Sequence, residues 1–429
     1  MQARPFKRIS VIGLGYIGLP TAAMFASRKI EVVGVDVNEH TVDTINRGKV
    51  HIVEPDLDMV VRAAVSEGYL RATTAPVPAE AFLVAVPTPF KGENHEPDLS
   101  FIEAAARAIA PVLEKGNLVI LESTSPIGAT EAMADWLEEE RPDLSFPHRV
   151  GETSDIRVAH CPERVLPGKV MRELITNDRV IGGLTPACSE RAIELYKTFV
   201  TGECLVAKGS RIAEMAKLTE NSFRDVNIAF ANELSLICDD LDMDVWELIR
   251  LANRHPRVNV LKPGAGVGGH CIAVDPWFII ASAPKRARLI RTAREVNDYK
   301  TSWVLEKVRS AIGEHLMERP GRTARDMTLA VYGLAFKPDI DDLRESPALA
   351  IASMLAAEHQ GPLLIVEPNI QEMPKALKVH ENSSLVEPEE ALSSADVHII
   401  LVAHEEIRSL DFGSCGGNIV DTQGLAVAK

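Results

Sequence analysis

The sequence predicts an α/β protein in which a doubly wound parallel sheet at each end of the chain flanks a central helical region. Short apolar, β-branched runs alternate with helical patterns over roughly the first 200 residues and again from about residue 325, as in βαβ units. The segment between them has helical spacing and no strand-like run. We therefore predict three domains, with limits at residues 1–209, 210–317 and 318–429.

The composition of the 429-residue chain restricts the classes of function. Hydrophobic residues make up 46% and charged residues 25%, as in ordinary globular proteins, and the net charge is −15. An acidic chain is a poor general binder of nucleic acid or anionic membranes, so we expect neither as a partner. The N-terminus leads directly into a strand-like run, and no apolar run approaches the roughly 20 residues of a membrane span. We expect a cytoplasmic protein without a signal peptide.

The N-terminal sheet is predicted from five apolar runs with helical patterns between them. The strand candidates are Ile9–Ile12, Val32–Val35, Phe82–Val86, Leu118–Leu121 and Ile156–Ala159. The helical patterns include Leu19–Ser27 and Phe101–Leu113. Thr185-Pro186 is typical of the N-cap and first residue of a helix, which we predict to run to about Phe199.

A glycine-rich motif typical of dinucleotide binding follows the first strand candidate. Gly13, Gly15 and Gly18 permit a tight turn and let a pyrophosphate approach the backbone at the start of a helix. Asp36 ends the next strand candidate and can accept hydrogen bonds from ribose hydroxyls, which favours NAD over NADP. This region is therefore predicted to be a Rossmann-like domain that binds NAD.

Two further loops, at residues 86–89 and 122–130, follow other strands of the same sheet. Ligands of such sheets bind beside the carboxyl ends of the strands, so the Thr hydroxyls of these loops are candidate contacts for ribose, nicotinamide or water. Ordinary turn chemistry explains the same residues equally well.

The six cysteines are scattered along the chain, form no CxxC pair and belong to no Cys/His cluster with metal-ligand spacing. We therefore expect neither a disulfide framework nor a metal site. A buried, inert thiol is the simplest interpretation for most of them.

The segment Ser210–Leu241 contains neither Gly nor Pro and is predicted to form one long helix. Lys217, Asn221 and Arg224 share one face of it. A solvated polar face is the alternative interpretation, but the surrounding residues are apolar, and a desolvated lysine can exchange protons near neutral pH. The other helical patterns of this region, whose long helices are also candidate dimerisation surfaces, are Asp244–Asn253 and Ala287–Ile312.

Residues 263–276 combine a glycine-rich loop with a thiol and a carboxylate. Its four closely spaced glycines leave backbone N–H groups accessible to a ligand. Cys271 and Asp275 follow directly, and a thiol beside an anion-binding loop can be stabilised as a nucleophilic thiolate. His255 and Arg257, just upstream, add a local positive group.

The C-terminal sheet is predicted from four further strand candidates and two helical patterns. They are the strands Thr328–Tyr332, Leu363–Val366, Val397–Val402 and Asn418–Val420 and the helices Pro347–Ala357 and Glu389–Ala395.

The first strand leads into residues 333–347, a strand–loop–helix unit with Lys337 and Arg344 at its mouth, which indicates a second nucleotide-like site without the dinucleotide fingerprint. Asp341-Asp342 fits a capping feature better than a metal site. A basic cluster for an anionic substrate could combine Arg164, Lys217, Arg224, Arg257, Lys337 and Arg344.

Six motifs occur in order along the chain: GLGYIGLP, ESTSPIGAT, CPERVLPG, AEMAKLTENSFRD, PGAGVGGHCIAVDP and GLAFKPDIDDLRESPA. Together they resemble the UDP-glucose/GDP-mannose dehydrogenase family of UDP-sugar 6-dehydrogenases over essentially the whole chain. The resemblance implies an NAD-binding domain, a central dimerisation region, a C-terminal Rossmann-like UDP-binding domain and a homodimer. It also implies oxidation of the sugar C6 alcohol to a carboxylate with two NAD⁺ consumed, through a thiohemiacetal and a thioester on cysteine.

The resemblance also implies roles for individual residues. Cys271 matches the family's nucleophile, Lys217 its general acid/base, and Asn221 and Asp275 supporting active-site positions. The positions that match UDP-sugar contacts are Glu163, Arg164, Val165, Lys217, Asn221, Arg224, His255, Arg257, Gly268, Phe336 and Lys337. The positions on the cofactor side are Gly13, Gly15, Tyr16, Ile17, Gly18, Asp36, Thr88, Thr124, Thr130 and Arg344.

Two positions depart from patterns among the relatives. Pro167 stands where the glucose-specific branch has a second Glu, which resembles the N-acetylhexosamine branch. Gln423 stands where relatives usually have a basic residue. The resemblance therefore implies a UDP-N-acetylhexosamine substrate, with UDP-N-acetylmannosamine expected before UDP-N-acetylglucosamine, in the synthesis of a bacterial surface polysaccharide.

Two other classes of function stay open at this point. A two-electron dehydrogenase of a small hydroxy acid would leave the second α/β domain and the glycine loop before Cys271 unexplained. A non-catalytic NAD sensor would leave the combination of Lys217, Asn221 and Cys271 unexplained. The yield of NADH per UDP-sugar separates the three readings, because it is two, one or none.

Overall fold

The computed structural model describes residues 6–92, 95–166, 168–269 and 271–426. Within them the chain forms two compact units: the first runs to Glu220 and includes Trp277–Pro284, and the second comprises Asn221–Pro276 and the chain from Lys285 onward. Over these residues, none of the helices combines the length and the apolar character that a membrane crossing demands. The predicted α/β class, with parallel sheets at both ends and a helical region between them, is confirmed.

The first unit contains an eight-stranded sheet in the order β10-β9-β8-β7-β4-β1-β2-β3, and a separate hairpin of β5 and β6. The strands are β1 (Arg8–Ile12), β2 (Glu31–Val35), β3 (Leu70–Thr73), β4 (Ala81–Val84), β5 (Phe90–Lys91), β6 (Glu96–Pro97), β7 (Leu118–Leu121), β8 (Arg157–His160), β9 (Arg179–Gly183) and β10 (Cys204–Val206). All neighbours from β3 to β8 are parallel, whereas β9 pairs with β8 antiparallel. The doubly wound order changes direction between β1 and β4, which is where such sheets bind ligands.

Helices cover the sheet of the first unit, so the strands are buried on both faces. These helices are α1 (Gly18–Ser27), α2 (Glu39–Asn46), α3 (Leu57–Ser66), α4 (Ser100–Ile109), α5 (Ala129–Glu140), α6 (Pro147–Val150), α7 (Val170–Thr176) and α8 (Pro186–Tyr196). Successive strand residues alternate between two apolar cores: Ile9 and Val11 belong to one, and Ile12 to the other. The predicted N-cap of α8 is confirmed, since the Thr185 side chain accepts a hydrogen bond from the Cys188 N–H.

The sequence does not predict three strands of this sheet, β3, β9 and β10. The edge strands β3 and β10 are short and partly exposed, which weakens the apolar pattern. β9 ends in Gly182 and Gly183, which have low strand propensity. A Cβ on either glycine would overlap neighbouring backbone atoms, so the packing requires glycine at both positions. The same two glycines lower the strand propensity of β9, which is why the sequence does not predict it.

Along the described part of the chain, four helices follow β10 and precede β11. They are α9 (Ser210–Asp240), α10 (Val245–Ala252), α11 (Asp275–Ser282) and α12 (Arg288–Glu318). α9 and α12 are joined by buried polar contacts, including Arg294 to Asp225 at 2.8 Å and Asn232 to Asn297 at 2.9 Å. α12 continues past its predicted end at Ile312 because Gly313 is tolerated there and the next turn packs its apolar side against the second core.

The second unit contains a five-stranded parallel sheet in the order β13-β12-β11-β14-β15. Its strands are β11 (Leu329–Tyr332), β12 (Leu363–Val366), β13 (Ser383–Leu385), β14 (Val397–Ile400) and β15 (Asn418–Asp421), and its helices are α13 (Pro347–Glu358), α14 (Lys375–Lys378), α15 (Pro388–Ser394) and α16 (Glu405–Arg408). Of these five strands, only the short edge strand β13 is absent from the predicted set, and the short helices α14 and α16 are not predicted either. The second half of α12 packs against this sheet through Val304 and Val308.

Candidate active site

The glycine-rich loop after β1 has the geometry of a dinucleotide site. Gly13 has φ +89°, and an added Cβ would lie 2.5 Å from the Ala85 carbonyl oxygen at the end of β4. A Cβ on Gly18 would overlap the Gly13 carbonyl oxygen, whereas a Cβ on Gly15 would meet no protein atom within 4 Å. Gly18 therefore allows α1 to start directly under the turn, and Gly15 keeps the outer side open to a ligand. Tyr16 is exposed, and Ile17 lies at the N-cap of α1.

Asp36, directly after β2, holds this loop. One carboxylate oxygen accepts a hydrogen bond from the Leu14 N–H at 3.0 Å, and the other accepts one from the Asn38 N–H at 2.9 Å. The residue is only partly buried, so the carboxylate can also accept hydrogen bonds from ribose hydroxyls. The residues present fit a bound NAD.

The loops after β4 and β7 are joined to each other beside the glycine-rich loop. The Thr88 hydroxyl donates to the Thr124 carbonyl oxygen at 2.5 Å, and the Ser123 hydroxyl donates to the Val86 carbonyl oxygen at 2.6 Å. Thr88 and Thr124 are both partly exposed. They lie at the carboxyl ends of adjacent strands, where the sequence predicts cofactor contacts.

Thr130 differs from the other predicted cofactor residues because it is fully buried. Its hydroxyl donates to a Glu214 carboxylate oxygen at 2.6 Å, and the N–H groups of Gly128 and Thr130 donate to the same carboxylate. Burial raises the pKa of Glu214 above its ordinary value, although these hydrogen bonds oppose the shift. Glu214 thus caps the start of α5, and Thr130 fixes the turn rather than presenting its hydroxyl to solvent.

The predicted substrate loop begins with a buried acid and then emerges at the surface. The Glu163 side chain is almost fully buried, with one oxygen 2.7 Å from an Arg179 guanidinium nitrogen and the other accepting from the Arg164 N–H. Arg164 is paired with Glu220 at 2.7 Å, and Val165 packs at the edge of the apolar core. Glu163 therefore has a defined orientation.

A buried cluster at the ends of β7, β8 and β9 surrounds Arg179, which is 2% exposed. Besides Glu163, its guanidinium lies 4.0 Å from Glu122, and it sits over the ring of Tyr196 at 4.8 Å. The Tyr196 hydroxyl donates to Glu122 at 2.6 Å. Burial raises the pKa of Glu122 from 4.5 to about 7, against the opposing effect of Arg179. No local pattern in the sequence indicates that Arg179, Glu122 and Tyr196 form a group.

The second unit brings three of the predicted catalytic residues together. Asn221 donates from its side-chain amide to the Asp275 carboxylate at 2.5 Å, and Asp275 is 3% exposed. The Asp275 N–H donates to the Cys271 carbonyl oxygen at 2.8 Å, which folds residues 271–275 into a turn before α11. Cys271 is exposed, unlike Cys161, Cys188 and Cys238. The exposed Cys271 thiol is accessible to a substrate, as a nucleophile must be.

The loop after β11 packs against the glycine-rich loop that precedes Cys271. The Gly269 N–H donates to the Arg344 carbonyl oxygen at 3.3 Å. A Cβ on Gly268 would overlap the Glu345 carbonyl oxygen and lie 2.9 Å from the Phe336 Cβ. The structure thus joins the predicted substrate positions Gly268 and Phe336. Lys337 lies over the Phe336 ring at 5.8 Å.

The remaining predicted site residues lie at the surface or are partly buried. Arg224, His255 and Arg257 are exposed. Lys217 is partly buried on the part of α9 that belongs to the first unit, and the Arg344 guanidinium is paired with Asp342 at 2.6 Å. Gln423 donates from its amide to the Leu401 carbonyl oxygen at 2.7 Å, so its side chain orders the loop after β14. Pro167 and His270 lie outside the described residues.

One group of described side chains has the spacing of a metal site. Asp135, Glu138 and His148 offer ligand atoms that all lie within 4.8 Å of one another. The Arg149 guanidinium contacts both carboxylates, at 2.8 and 2.9 Å. A cation already balances these acids, so we assign no metal to them, and the expected lack of a metal cofactor stays a prediction.

The fold and these sites define a class: a dinucleotide-dependent oxidoreductase with an exposed thiol in a second, separate nucleotide-like unit. Comparison with family models refines this. Residues 7–200 match the NAD binding domain of the UDP-glucose/GDP-mannose dehydrogenase family, residues 211–299 its central domain and residues 330–426 its UDP binding domain.

Individual relatives match over almost their full length. The chain is 63% identical over 425 residues to UDP-N-acetyl-D-mannosamine dehydrogenase of Escherichia coli, covering 98% of this chain and 99% of that protein. It is 62% identical over 425 residues to NDP-N-acetyl-D-galactosaminuronic acid dehydrogenase of Ralstonia nicotianae, covering 99% and 97%. A solved structure of the UDP-D-ManNAc dehydrogenase from Pyrococcus horikoshii matches with a TM-score of 0.84 and 38% identity over 96% of this chain and 93% of that one.

The chain belongs to the UDP-glucose/GDP-mannose dehydrogenase family. It is an oxidoreductase with a nucleotide-sugar dehydrogenase role, and NAD is its cofactor. The resemblance given by the six sequence motifs is confirmed.

The glycine-rich loop offers a matched pair of substitutions. We expect Gly18→Ala to lower the thermal midpoint by several degrees and to weaken NAD binding, because overpacking against the Gly13 carbonyl costs roughly 1–3 kcal/mol or more. Gly15→Ala should keep the wild-type midpoint, since its Cβ meets open space, while still weakening NAD binding. Differential scanning fluorimetry and calorimetric NAD titration measure both effects. Equal midpoints for the two variants would contradict this account of the turn.

The raised pKa of Glu122 leads us to expect that the free energy of unfolding depends on pH. Its pKa of about 7 lies above the ordinary value of 4.5, so the folded protein keeps a proton that the unfolded chain releases between these values. The free energy of unfolding should therefore fall as pH rises from about 5 to 7, by on the order of 1–3 kcal/mol. Glu122→Gln, which keeps an acceptor for Tyr196, should flatten that slope in urea titrations at several pH values. An unchanged slope would show that Glu122 is not the titrating group.

Proposed function

We propose that the protein oxidises UDP-N-acetyl-D-mannosamine at C6 to UDP-N-acetyl-D-mannosaminuronate in two NAD-dependent steps. The observation that carries this proposal is the exposed Cys271 in the turn before α11, with Asp275 held by Asn221. A thiol in this setting allows a four-electron oxidation to pass through a covalent intermediate. The sugar assignment is supported by the full-length relative from Escherichia coli that carries this substrate in its name.

The proposed reaction divides the work among a few side chains. Lys217, or a water beside it, takes the proton of the C6 alcohol as the first hydride leaves. The Cys271 thiolate then adds to the aldehyde carbon to form a thiohemiacetal, which also keeps the aldehyde from escaping. Loss of the second hydride gives a thioester, and water releases the carboxylate and restores the thiol. Bound NAD supplies the hydride acceptor in each oxidation, so one sugar yields two NADH.

We assign the substrate contacts to the positions that the sequence motifs predict. They are Glu163, Arg164, Val165, Lys217, Asn221, Arg224, His255, Arg257, Gly268, Phe336 and Lys337. The assignment of Glu163 is supported by the contact with Arg179 that orders its carboxylate. The assignments of Gly268 and Phe336 are supported by their packing against each other. On the cofactor side we keep Asp36, Tyr16, Thr88, Thr124, Thr130 and Arg344, with Thr130 acting through the turn at the start of α5.

A second substrate is favoured by a specific finding. The Ralstonia nicotianae relative, at 62% identity, is named for N-acetyl-D-galactosaminuronic acid, a different hexosamine series. Overall identity therefore does not separate the two sugars. UDP-N-acetylgalactosamine is the second candidate, ahead of the UDP-N-acetylglucosamine expected from the sequence alone.

A sugar panel tests substrate choice and stoichiometry together. We expect two NADH per UDP-N-acetylmannosamine consumed, followed at 340 nm, and a higher kcat/KM than for UDP-N-acetylgalactosamine, UDP-N-acetylglucosamine or UDP-glucose. NADH yield near one would show a two-electron enzyme, and no NADH with any sugar would defeat the proposal. Comparable turnover of all four sugars would leave the dehydrogenase and remove the specificity.

Cys271 provides the sharpest test of the mechanism. We expect Cys271→Ala to keep the thermal midpoint and NAD affinity but to lose uronate production by several orders of magnitude, as for other covalent nucleophiles. Cys415→Ala is the matched control, because that thiol is partly buried in the C-terminal sheet domain. Uronate is measured by mass spectrometry. Normal uronate formation by a folded Cys271→Ala protein would exclude the covalent route.

We also infer a homodimer, with residues 1–209 binding NAD, 210–317 dimerising and 318–429 binding UDP. Phe223, Phe230 and Ile237 recur every seven residues on α9 and are 70%, 52% and 45% exposed. Such a stripe on one face of a long helix is typical of a helix-pairing surface. Phe230→Glu should give a monomer in analytical ultracentrifugation, whereas Val379→Glu, at another exposed apolar position, should not. A monomeric wild type would overturn the inference.

The product's place in the cell is a further part of the proposal. A uronic acid activated as a UDP-sugar suits glycosyl transfer, so we assign it to a bacterial surface polysaccharide such as enterobacterial common antigen, made by a cytoplasmic enzyme. A deletion strain should lose mannosaminuronate from its surface glycans and regain it on complementation. Unchanged glycans would contradict the assignment.

A further inference from the structure

The acid after β12 occupies in the second sheet the place that Asp36 has in the first. Glu367 directly follows its strand, and one carboxylate oxygen accepts from the N–H groups of Leu334 and Ala335 at 2.7 and 3.0 Å. The other oxygen faces the Asn369 N–H at 3.2 Å. Asp36 makes the corresponding pair of contacts, to the loop after β1 and to the residue two positions later. Both sheets thus anchor their first loop with an acid from the second strand.

The two acids differ in what covers them. Asp36 is partly exposed, whereas the Glu367 side chain is completely buried. His404, also completely buried, places its Nε2 3.0 Å from the same Glu367 oxygen that holds Leu334 and Ala335. Burial raises the pKa of Glu367, but the hydrogen bond from His404 and those from the backbone outweigh burial, so the pKa lies below its ordinary value. The carboxylate is charged and has no exposed oxygen for a ribose.

The hydrogen bonds of His404 define its tautomer. The Asp339 N–H donates to Nδ1 at 2.9 Å, and a backbone N–H can only donate. Nδ1 is therefore an acceptor without a proton, and the ring hydrogen is on Nε2, where it is donated to Glu367. A single neutral imidazole thus joins Asp339 to the carboxylate that holds Leu334 and Ala335.

The contacts of Glu367 and His404 hold the chain on both sides of the predicted UDP-sugar residues. Phe336 and Lys337 lie between Ala335, held by Glu367, and Asp339, held by His404. Asp339 is fixed again by its carboxylate, which accepts from the Glu405 N–H at 2.8 Å and lies 3.1 Å from Arg408. The segment from Leu334 to Asp339 is therefore attached at both ends to groups within the second sheet domain.

The comparison with His398 separates loop ordering from core packing. His398 lies in β14, is fully buried, and its Nδ1 lies 2.8 Å from the Tyr332 hydroxyl. Its partners, Tyr332 and Phe412, belong to the apolar core. Both histidines are buried in one domain, but His404 contacts Asp339 and the Glu367 carboxylate that holds the loop, whereas His398 contacts residues of the apolar core.

We propose that His404, acting through Glu367 and Asp339, is a positioning residue for UDP-sugar binding: it orders the loop that presents Phe336 and Lys337. The inference rests on the proposed function, which assigns these two residues to the UDP-sugar. His404 itself does not touch the substrate in this account. Its effect is to pre-organise the site, which reduces the ordering cost of binding.

The experiment compares His404→Ala with His398→Ala in the full chain. Both remove a buried imidazole from the same domain, so both should lower the thermal midpoint. We expect His404→Ala to raise the KM for the UDP-sugar and the calorimetric Kd for UDP about ten-fold, the scale of one lost ordering interaction, with kcat and the Kd for NAD changed less than about two-fold. His398→Ala should leave all four constants near wild type.

Two conservative variants assign the effect to one side of the ring. His404→Gln can still donate to Glu367, and His404→Asn can still accept from Asp339, because their amides approximate the positions of Nε2 and Nδ1. We expect each variant to restore part of the UDP affinity lost in His404→Ala. These variants also keep the test decisive if His404→Ala does not fold.

The outcomes distinguish this inference from the proposed function. Similar UDP affinities for the His404 and His398 variants, or equal losses of UDP and NAD affinity, would overturn the positioning role and leave a structural histidine. A wild-type protein that binds UDP but oxidises no UDP-sugar would defeat the proposed function, while the UDP affinities would still decide the role of His404. A wild type that binds no UDP would overturn both.

Discussion

Backbone N–H groups at the carboxyl ends of the parallel strands are the constraint on which both nucleotide-like sites depend. The loop after the first strand of each sheet leaves the ladder and has N–H groups without strand partners, and an unpaired buried N–H is costly. In each sheet a carboxylate from the second strand accepts them: Asp36 for Leu14, and Glu367 for Leu334 and Ala335. The same solution therefore sets the shape of both loops.

The two nucleotide-like sites differ because different groups cover the carboxylate that follows the second strand of each sheet. Asp36 remains partly exposed and can bind a ribose as well as its own loop. Glu367 is closed off by His404, so its capacity is used within the protein. The loop after β11 has Ala335 and Pro338 in place of the second and third glycines of the dinucleotide motif, and Phe336 and Lys337 lie between them. One domain is thereby suited to NAD and the other to a ligand recognised by an aromatic ring and a cation.

Buried charge has a similar ordering role in the first unit. Removing Arg179 and its carboxylates from water costs several kcal/mol per ion, and their mutual attraction offsets much of this without a large net gain. What the cluster provides is orientation, because Glu163 has its two oxygens held by different groups. Because burial raises the pKa of Glu122 to about 7, this carboxyl is protonated below neutral pH, which reduces the negative charge around Arg179 there.

The parts of the molecule that follow from local pattern are predictable from the sequence. The glycine loop, Asp36, the long α9 and most strands are predictable, since periodicity and turn chemistry act within a few residues. The edge strands β3, β10 and β13 and the glycine-containing β9 are not, because packing overrides their weak propensities. Arg179, Glu122 and His404 were missed for another reason: each acts through partners far away in the chain. Glu367 alone had a readable signal, since it follows β12 as Asp36 follows β2.

Substrate choice in this fold is a property of loops rather than of the framework. Two relatives at 63% and 62% identity are named for different sugar series, so the aligned framework tolerates either. N-Acetylmannosamine and N-acetylgalactosamine differ in the direction of two polar groups, at C2 and at C4. Leaving one buried partner unpaired costs roughly 1–3 kcal/mol, which is enough to discriminate about 5- to 150-fold. One or two side chains suffice for such a change. Under the proposed substrate assignment, Glu163 and Gly168 are two fixed positions: Arg179 lies 2.7 Å from Glu163, and Glu54 accepts from the Gly168 N–H at 2.9 Å. Leu166 lies between them in the sequence and is 57% exposed, so a substitution there can change a sugar contact without altering the buried pair of Glu163 and Arg179.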